Sequence, residues 1–259
     1  MTKIVADHIV IKVENPVKDN YIIHLVSPDK IPIIEPGNFA EIQVPNEPDV
    51  FLRRPFSILD IDYTKNQISF YVKSIGKGTH KLGELQPGQK VNIIYPLGNQ
   101  YSIDENLKNV LIIGGGSGIA PFILLGKALK KRNINTTFLI GGRSKNDILL
   151  TEEFEKYGKV LATTEDGTFG EKGLVTQHSV FKDQLSTFDK IYTCGPDPMM
   201  HAVGKIAVRE GIPCEASLEN MMACGFGVCL CCVTATHEGN KRVCIEGPVF
   251  NVNDLSWQI

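Results

Sequence analysis

The 259-residue chain has no basic run longer than Lys130-Lys131-Arg132, and 27 Lys and Arg against 29 Asp and Glu leave a net charge of −2. Nucleic-acid binding therefore has no electrostatic support. Apolar runs stop at about strand length, and Met1 to Val10 hold no apolar h-region, so neither a membrane span nor a secretion signal is expected. No Ser/His/Asp triad and no HExxH helix is found, which removes two common hydrolytic chemistries. There is no internal repeat and no low-complexity linker. What is left is a cytoplasmic, globular chain with room for two ordinary domains and a small appendage. In that compartment clustered cysteines are metal ligands before they are disulfides.

Cysteine is where the chain is rich. Four of its seven cysteines fall within the nine positions from Cys224 to Cys232, and Cys244 follows twelve residues later. Taking Cys224, Cys229, Cys232 and Cys244 gives C-x4-C-x2-C…C, the plant-type spacing for a [2Fe-2S] cluster, with Cys231 left over. A register using Cys231 can also be written. Four thiolates make a negative cluster, and Gly225 and Gly227 allow the positive φ that turns backbone amides toward sulfur. The competing reading is a structural zinc site, which usually pairs two short C-x2-4-C knuckles that this spacing lacks. A nonenzymatic zinc-bearing adaptor is the matching alternative function.

Residues 1–102 read as short β-branched or aromatic strands separated by Ser27-Pro28-Asp29, Glu35-Pro36-Gly37, Pro45 to Pro48 and Gln86-Pro87-Gly88, which suggests a small antiparallel barrel. Phe39 to Val44 shows the apolar/polar alternation of one of these strands. The turn Arg53-Arg54-Pro55-Phe56-Ser57 offers forked donors to a phosphate and a ring to cover a flat ligand. Tyr71-Val72-Lys73 and the glycine-rich turn Gly76-Lys77-Gly78-Thr79-His80 add phosphate-compatible donors. Together these could hold a dinucleotide across the barrel.

Residues 103–214 change to βα alternation. The apolar strand Val110 to Ile113 runs into Gly114-Gly115-Gly116-Ser117-Gly118-Ile119-Ala120-Pro121, and a helix is expected from about Ala120, with Pro121 in its first turn. Strand, glycine turn and helix N-terminus form an anion site for a pyrophosphate. Pro121 replaces the third fingerprint glycine, and the next strand ends in Gly141-Gly142-Arg143-Ser144 where a ribose-binding acid is usual, so NADP stays open beside NAD. Helices are expected over Asp147 to Tyr157, Leu174 to Phe181 and Met199 to Arg209. Lys190 to Thr193 is a strand running into Cys194-Gly195-Pro196, whose end should share the C-terminal sheet edge with Gly114. Residues 215–259 form the cluster domain.

Arg54-Pro55-Phe56-Ser57, Gly114 to Pro121 and Cys194-Gly195-Pro196 resemble the R-x-[Y/F]-[S/T], G-G-G-x-G-x-x-P and C-G-P motifs of the ferredoxin-NADP reductase superfamily. With the cysteine loop and Glu246-Gly247-Pro248-Val249-Phe250 after them, the chain is similar over nearly its full length to the electron-transfer subunits of class 1B dihydroorotate dehydrogenases. That resemblance implies mixed β and α/β architecture: an FAD-binding barrel, a parallel-sheet NAD-binding domain and a [2Fe-2S] domain. It implies FAD on Arg54, Pro55, Phe56, Ser57, Tyr71, Val72, Lys73, Gly78 and Thr79, a nicotinamide nucleotide at Gly114, Gly115, Gly116, Gly118, Cys194, Gly195 and Pro196, and the cluster on Cys224, Cys229, Cys232 and Cys244. It further implies a heterotetramer with an FMN-containing catalytic subunit, with electrons passing from FMN through the cluster and FAD to NAD+, and no catalytic acid or base in this chain. The small subunit of an NADH-dependent ferredoxin:NADP oxidoreductase is built on the same plan, but such relatives often carry aspartate where this chain has Cys224.

Overall fold

The structure is a computed structural model and describes residues 2–257. Strands β1 (Ile4–Val17), β2 (Asn20–Val26), β3 (Phe39–Ile42), β4 (Arg54–Asp62), β5 (Gln67–Lys73) and β6 (Lys90–Leu97) close into a barrel in the order β1-β2-β5-β4-β3-β6, every pairing antiparallel. Period-2 alternation sends Val10, Ile23, Leu25, Ile42, Ile68, Phe70 and Ile93 into its interior. The helix α1 (Lys77–Gly83) connects β5 to β6 and starts inside the expected glycine turn.

Two local expectations change here. Ile4-Val5 and Ile9 to Val13 belong to one continuous strand. Arg54 to Ser57 is extended chain, pairing with Ile42 to Phe39 of β3, and not a turn. β4 gains its second neighbour, β5, only from Ile58 onward. The first four residues of β4 are thus a free edge, where a proline removes no ladder bond and guanidiniums stay hydrated.

The second layer is a sheet of β7 (Asn109–Gly115), β8 (Asn135–Gly142), β9 (Lys159–Thr164), β10 (Glu171–Lys172), β11 (Lys190–Cys194), β12 (Cys214–Ser217) and the late strand 249–251. The order is β10-β9-β8-β7-β11-β12, all parallel, with 249–251 antiparallel on the β12 edge. Helices α2 (Phe122–Lys131), α3 (Thr151–Glu155), α4 (Val180–Asp183) and α5 (Asp197–Arg209) complete the alternation. α2 begins after a 3-10 turn at Gly116–Ile119, with Pro121 capping it. The helix expected over 147–157 shrinks to α3 because Leu150 adopts φ +60° and breaks it. Leu174 to Phe181 divides into a 3-10 turn and the start of α4.

Strand β12 spans the expected 214/215 boundary, so the last segment is built onto the sheet. That segment adds a small hairpin of β13 (Val233–Thr236) and β14 (Gly239–Arg242), then β15 (Val249–Asn251). One apolar core runs from the sheet (Leu111, Ile113, Ile191) through Phe39 and Leu97 of the barrel to Cys232, Val243 and Cys244. No helix among the described residues is long and apolar enough to cross a membrane.

Candidate functional site

Strand order reverses between β7 and β11, and Gly114 lies directly opposite Cys194 in that pairing. Open α/β sheets bind ligands at such a switch point. Both motif turns are therefore on one edge, as expected, and they are packed against each other. A Cβ on Gly118 would sit 2.3 Å from the carbonyl oxygen of Cys194, and one on Gly115 would sit 2.7 Å from the sulfur of Met199 and 3.2 Å from Pro196. Gly195, at φ +149°, leaves the same clearance from Gly115. Gly116 differs: it has φ +58° and open space beyond its Cα, so it is the member of the turn that an incoming ligand can approach. Cys194 is fully buried, and burial holds its thiol far above the usual range, which makes it a packing residue before a nucleophile.

A cleft of about 590 Å³ opens between this edge, the barrel and the cysteine segment. It receives Arg53 just before β4, Arg54 to Ser57 from β4, Tyr71 and Lys73 from β5, and Thr79 from α1. The Arg54 guanidinium bonds only the carbonyls of Leu52 (2.8 Å) and Arg53 (3.2 Å), and no carboxylate among the described residues pairs with it. Gly78 lets it lie close, since a Cβ there would be 3.3 Å from its Nε. An unneutralised guanidinium at the mouth of an apolar-lined cleft fits a phosphate-bearing ring cofactor. Other residues named from the sequence are more committed. Tyr71 donates to Asn20 Oδ1 at 2.5 Å, Lys73 is 3.7 Å from Asp147, and the Thr79 hydroxyl closes its own turn on Ile75 and Gly76. Val72 points into the barrel core, leaving only its backbone for a ligand.

The opposite wall holds Ser117 and Ala120 of the nucleotide turn, and Ser217, Leu218 and Glu219 at the end of β12. Glu219 was not apparent from sequence, because it follows a four-residue strand with no motif around it. It opens to the cleft but has protein on most sides, 3.9 Å from the Cys194 sulfur; burial and then Asp197 raise its carboxyl above the usual range.

The cysteine segment forms the third wall through Met221, Met222, Cys231 and Pro248. Gly225 (φ +72°) and Gly227 (φ +87°) take the positive angles expected of them. Burial works against ionisation of Cys224, but backbone N–H groups of Cys229, Phe226 and Val228 and the Cys229 thiol outweigh it and bring the pKa down to about 6. Cys244 is different: burial and the neighbouring Cys232 push its thiol up to about 12. Its amide donates to the Cys232 sulfur at 3.4 Å, and Val243 N–H to the Cys232 carbonyl at 3.0 Å. Arg242 braces the loop, donating to the Gly227 carbonyl (3.2 Å) while paired with Glu246 at 2.6 Å.

Cys224 is influenced by the Cys229 thiol and amide, and Cys244 by Cys232 and, more weakly, by Cys224. Four cysteines on one loop and its return, with amides aimed at the sulfurs of Cys224 and Cys232, fit an iron–sulfur core. Cys231 faces the other way, exposed and lining the cleft. Glu41 was missed altogether. It is fully buried on β3 beneath Gly225, neither carboxyl oxygen has a partner, and burial pushes it up to about 7 against the pull of Arg53 and with the help of Cys224.

A closed barrel, a parallel sheet with its glycine turn at the switch point, and a cleft shared with a cysteine segment define an electron-transfer oxidoreductase of the ferredoxin-NADP reductase fold. Residues 219–256 match the iron-sulfur cluster binding domain of dihydroorotate dehydrogenase B, and residues 112–205 match the oxidoreductase NAD-binding domain. The electron transfer subunit of dihydroorotate dehydrogenase B (NAD(+)) from Caldanaerobacter subterraneus is 41% identical over 83% of this chain and 84% of its own length. The subunit of the same name from Fusobacterium nucleatum is 35% identical over 85% and 86%. The chain belongs to the family of dihydroorotate dehydrogenase B electron transfer subunits. Among solved structures it resembles that of an NADH-dependent reduced ferredoxin-NADP oxidoreductase studied for flavin-based electron bifurcation, with TM-score 0.87 and 30% identity, covering 96% of this chain and 90% of that one. The ferredoxin reductase of carbazole 1,9a-dioxygenase shares the fold at TM-score 0.71 and 20% identity, over 82% of this chain and 68% of that one.

Proposed function

We propose that the chain takes electrons from a separate FMN-containing catalytic subunit that oxidises dihydroorotate, and delivers them to NAD+ in cytoplasmic pyrimidine biosynthesis. Two copies of each subunit make the working heterotetramer. Arg54, Pro55, Phe56, Ser57, Tyr71, Lys73 and Thr79 hold FAD, with Val72 and Gly78 contributing backbone. Gly114 to Gly118 and Cys194 to Pro196 receive the nicotinamide nucleotide. Cys224, Cys229, Cys232 and Cys244 hold the [2Fe-2S] cluster. When bound, the flavin supplies hydride exchange with nicotinamide and single-electron exchange with iron.

The observation that carries this reading is the shared cleft: residues of the barrel edge, the nucleotide turn and the cysteine segment line one cavity. The protein's part is to position three groups and exclude water between them. Arg54 neutralises phosphate, Gly116 leaves room at the turn, and Glu219 with Ser117 lines the nucleotide side. Asp147 supports NAD over NADP. It accepts the amides of Arg143 (3.1 Å) and Ser144 (3.3 Å) and pairs with the Arg143 side chain at 3.7 Å, so a carboxylate takes up donors that a 2′-phosphate would use. The loop around the cluster also exposes Met221 (84%), Val228 (74%) and Leu230 (59%), the apolar surface expected where a partner subunit docks.

Co-expression with an FMN-containing dihydroorotate dehydrogenase subunit tests this. The two chains should co-purify, show flavin and iron–sulfur absorption, and reduce NAD+ with dihydroorotate faster than NADP+. A colourless chain carrying stoichiometric zinc, or a coloured complex that reduces neither nucleotide, overturns it.

A further inference from the structure

Two barrel segments border the cleft and diverge from one point. Ile58 of β4 pairs with Phe70 of β5, and toward the cleft the strands separate, β4 running back to Arg54 and β5 forward to Lys73. Along β5 every second residue lines the cleft: Tyr71, Lys73 and then Ile75, two residues past the end of the strand, while Val72 stays in the barrel core. Along the other side Ser57, Arg54 and Leu52 line it in turn.

The pairing of β4 gives both rows a direction. Ser57 stands opposite Phe39, and Phe39 lies beside Pro248 of the cysteine segment: a Cβ on Gly98 would meet Pro248 Cδ at 2.5 Å and Phe39 Cε1 at 2.9 Å. This is the inner end of the cleft. Arg54 is three residues further out, about 10 Å along an extended strand, and Leu52 lies beyond it. Read outward, each row passes from a hydroxyl (Ser57, Tyr71) to a cation (Arg54, Lys73) to an aliphatic side chain (Leu52, Ile75).

The outer pair is otherwise unexplained. Ile75 is 83% exposed and Leu52 38%. Both are nevertheless held in place. The N–H groups of Ile75 and Gly76 donate to the Thr79 hydroxyl at 2.9 and 3.1 Å, and the Leu52 carbonyl accepts the Arg54 guanidinium at 2.8 Å. A ring site, then cations, then an apolar pair is the order of a molecule with two flat ring systems joined through a diphosphate. A flavin mononucleotide would end at the cations and leave the outer pair in water.

We propose that Leu52 and Ile75 determine the choice of flavin, receiving the adenine end of FAD and so selecting it over FMN. The inference rests on the assignment of the flavin to this cleft. Apolar surface that adenine removes from water on these two side chains is a gain that FMN cannot make. The selection has a use in the proposed assembly, where the partner subunit takes FMN and this chain must take the other flavin.

The test uses the full chain as wild type, Leu52→Asn, Ile75→Asn and the double variant, none of which adds charge beside a phosphate. Each is brought to equilibrium by dialysis against FAD or against FMN, and bound flavin is released and counted by fluorescence. Wild type should prefer FAD. Each single variant should lose about tenfold in FAD affinity while FMN affinity stays within about twofold, so the preference falls, and it should fall further in the double variant. Ile75→Met, which keeps an apolar side chain, should retain the preference. Wild-type preference in the double variant overturns the proposal, as does equal loss for both flavins, which would mean general damage to the site. Wild type that takes up neither flavin would instead overturn the assignment of the cleft on which the proposal depends.

Discussion

Cys231 and Cys232 share a peptide bond and face opposite sides of their loop. Cys232 is 2% exposed and stands beside Cys244, whose amide reaches its sulfur at 3.4 Å. Cys231 is exposed, lines the cleft, and its thiol lies 3.6 Å from the Met221 carbonyl. Leu230 at φ +58° makes the chain turn that separates them. The thiol that spacing could not place opens onto the cleft.

Cys231→Ser should therefore keep full iron and sulfide content, whereas Cys232→Ser should lose the cluster. Iron and sulfide assays with visible absorbance read both outcomes. The reverse pattern would show that the register is C-x4-C-x1-C.

How much of this was legible follows from the kind of signal each residue carries. The barrel, the parallel sheet and the cysteine loop were accessible because strand periodicity, glycine turns and ligand spacing are local patterns. Arg53 to Ser57 was misread as a turn because an edge strand tolerates the same proline and charges that punctuate loops. Glu41 was invisible for the opposite reason: its alternation is regular, and only the covering segment, some 180 residues later in the chain, turns a solvent face into an interior. Glu219 has no local pattern at all. Its position depends on β12 lying beside β11.

Arg54→Ala should weaken FAD retention. The lost interaction is a charged hydrogen bond to phosphate, worth about 1.5–3 kcal/mol, or about 10- to 150-fold in Kd. Flavin-to-protein ratio after dialysis measures it. Unchanged retention would count against the barrel edge as the flavin site.

Gly118→Ala should damage the nucleotide side specifically. Its Cβ would lie 2.3 Å from the Cys194 oxygen and 2.4 Å from both the Cys194 carbonyl carbon and the Gly195 nitrogen, all backbone, so the two turns must separate. Overpacking of this kind costs about 1–3 kcal/mol. A lowered Tm with raised KM for NADH, measured with an artificial acceptor, is expected. Wild-type values in both would mean that the turns are not mutually packed.

Acid should destabilise the fold below pH 6.5. His8 and His178 are buried, and burial lowers both below the ordinary value of 6.5. The native state then binds fewer protons than the unfolded chain, so this stability is present above pH 6.5 and is lost as pH falls through the lowered native values. Tm measured from pH 8 to 5 should drop across that window, and His8→Gln should flatten the slope. A Tm that rises on acidification would contradict the sign.

Asn99→Ala should loosen the cluster segment without unfolding the barrel. Asn99 follows β6, and its side chain donates to the carbonyls of Glu246 (2.9 Å) and Val249 (2.8 Å) while accepting the Val249 N–H at 3.0 Å. Its backbone N–H adds a bond to the Gly247 carbonyl at 2.6 Å. Three side-chain bonds at about 1 kcal/mol each, together with an unpaired Val249 amide, put the local cost at about 2–4 kcal/mol. That is small against global stability but large against the opening of one peripheral segment. Hydrogen exchange should accelerate at Leu218 and Val249, which the clamp holds in register, and cluster loss should follow; amides of β2 and β5 should keep their protection. Asn99→Asp, which retains the acceptor and loses both donors, should fall between. Uniform acceleration across barrel and sheet would show that the segment and the barrel open as one cooperative unit.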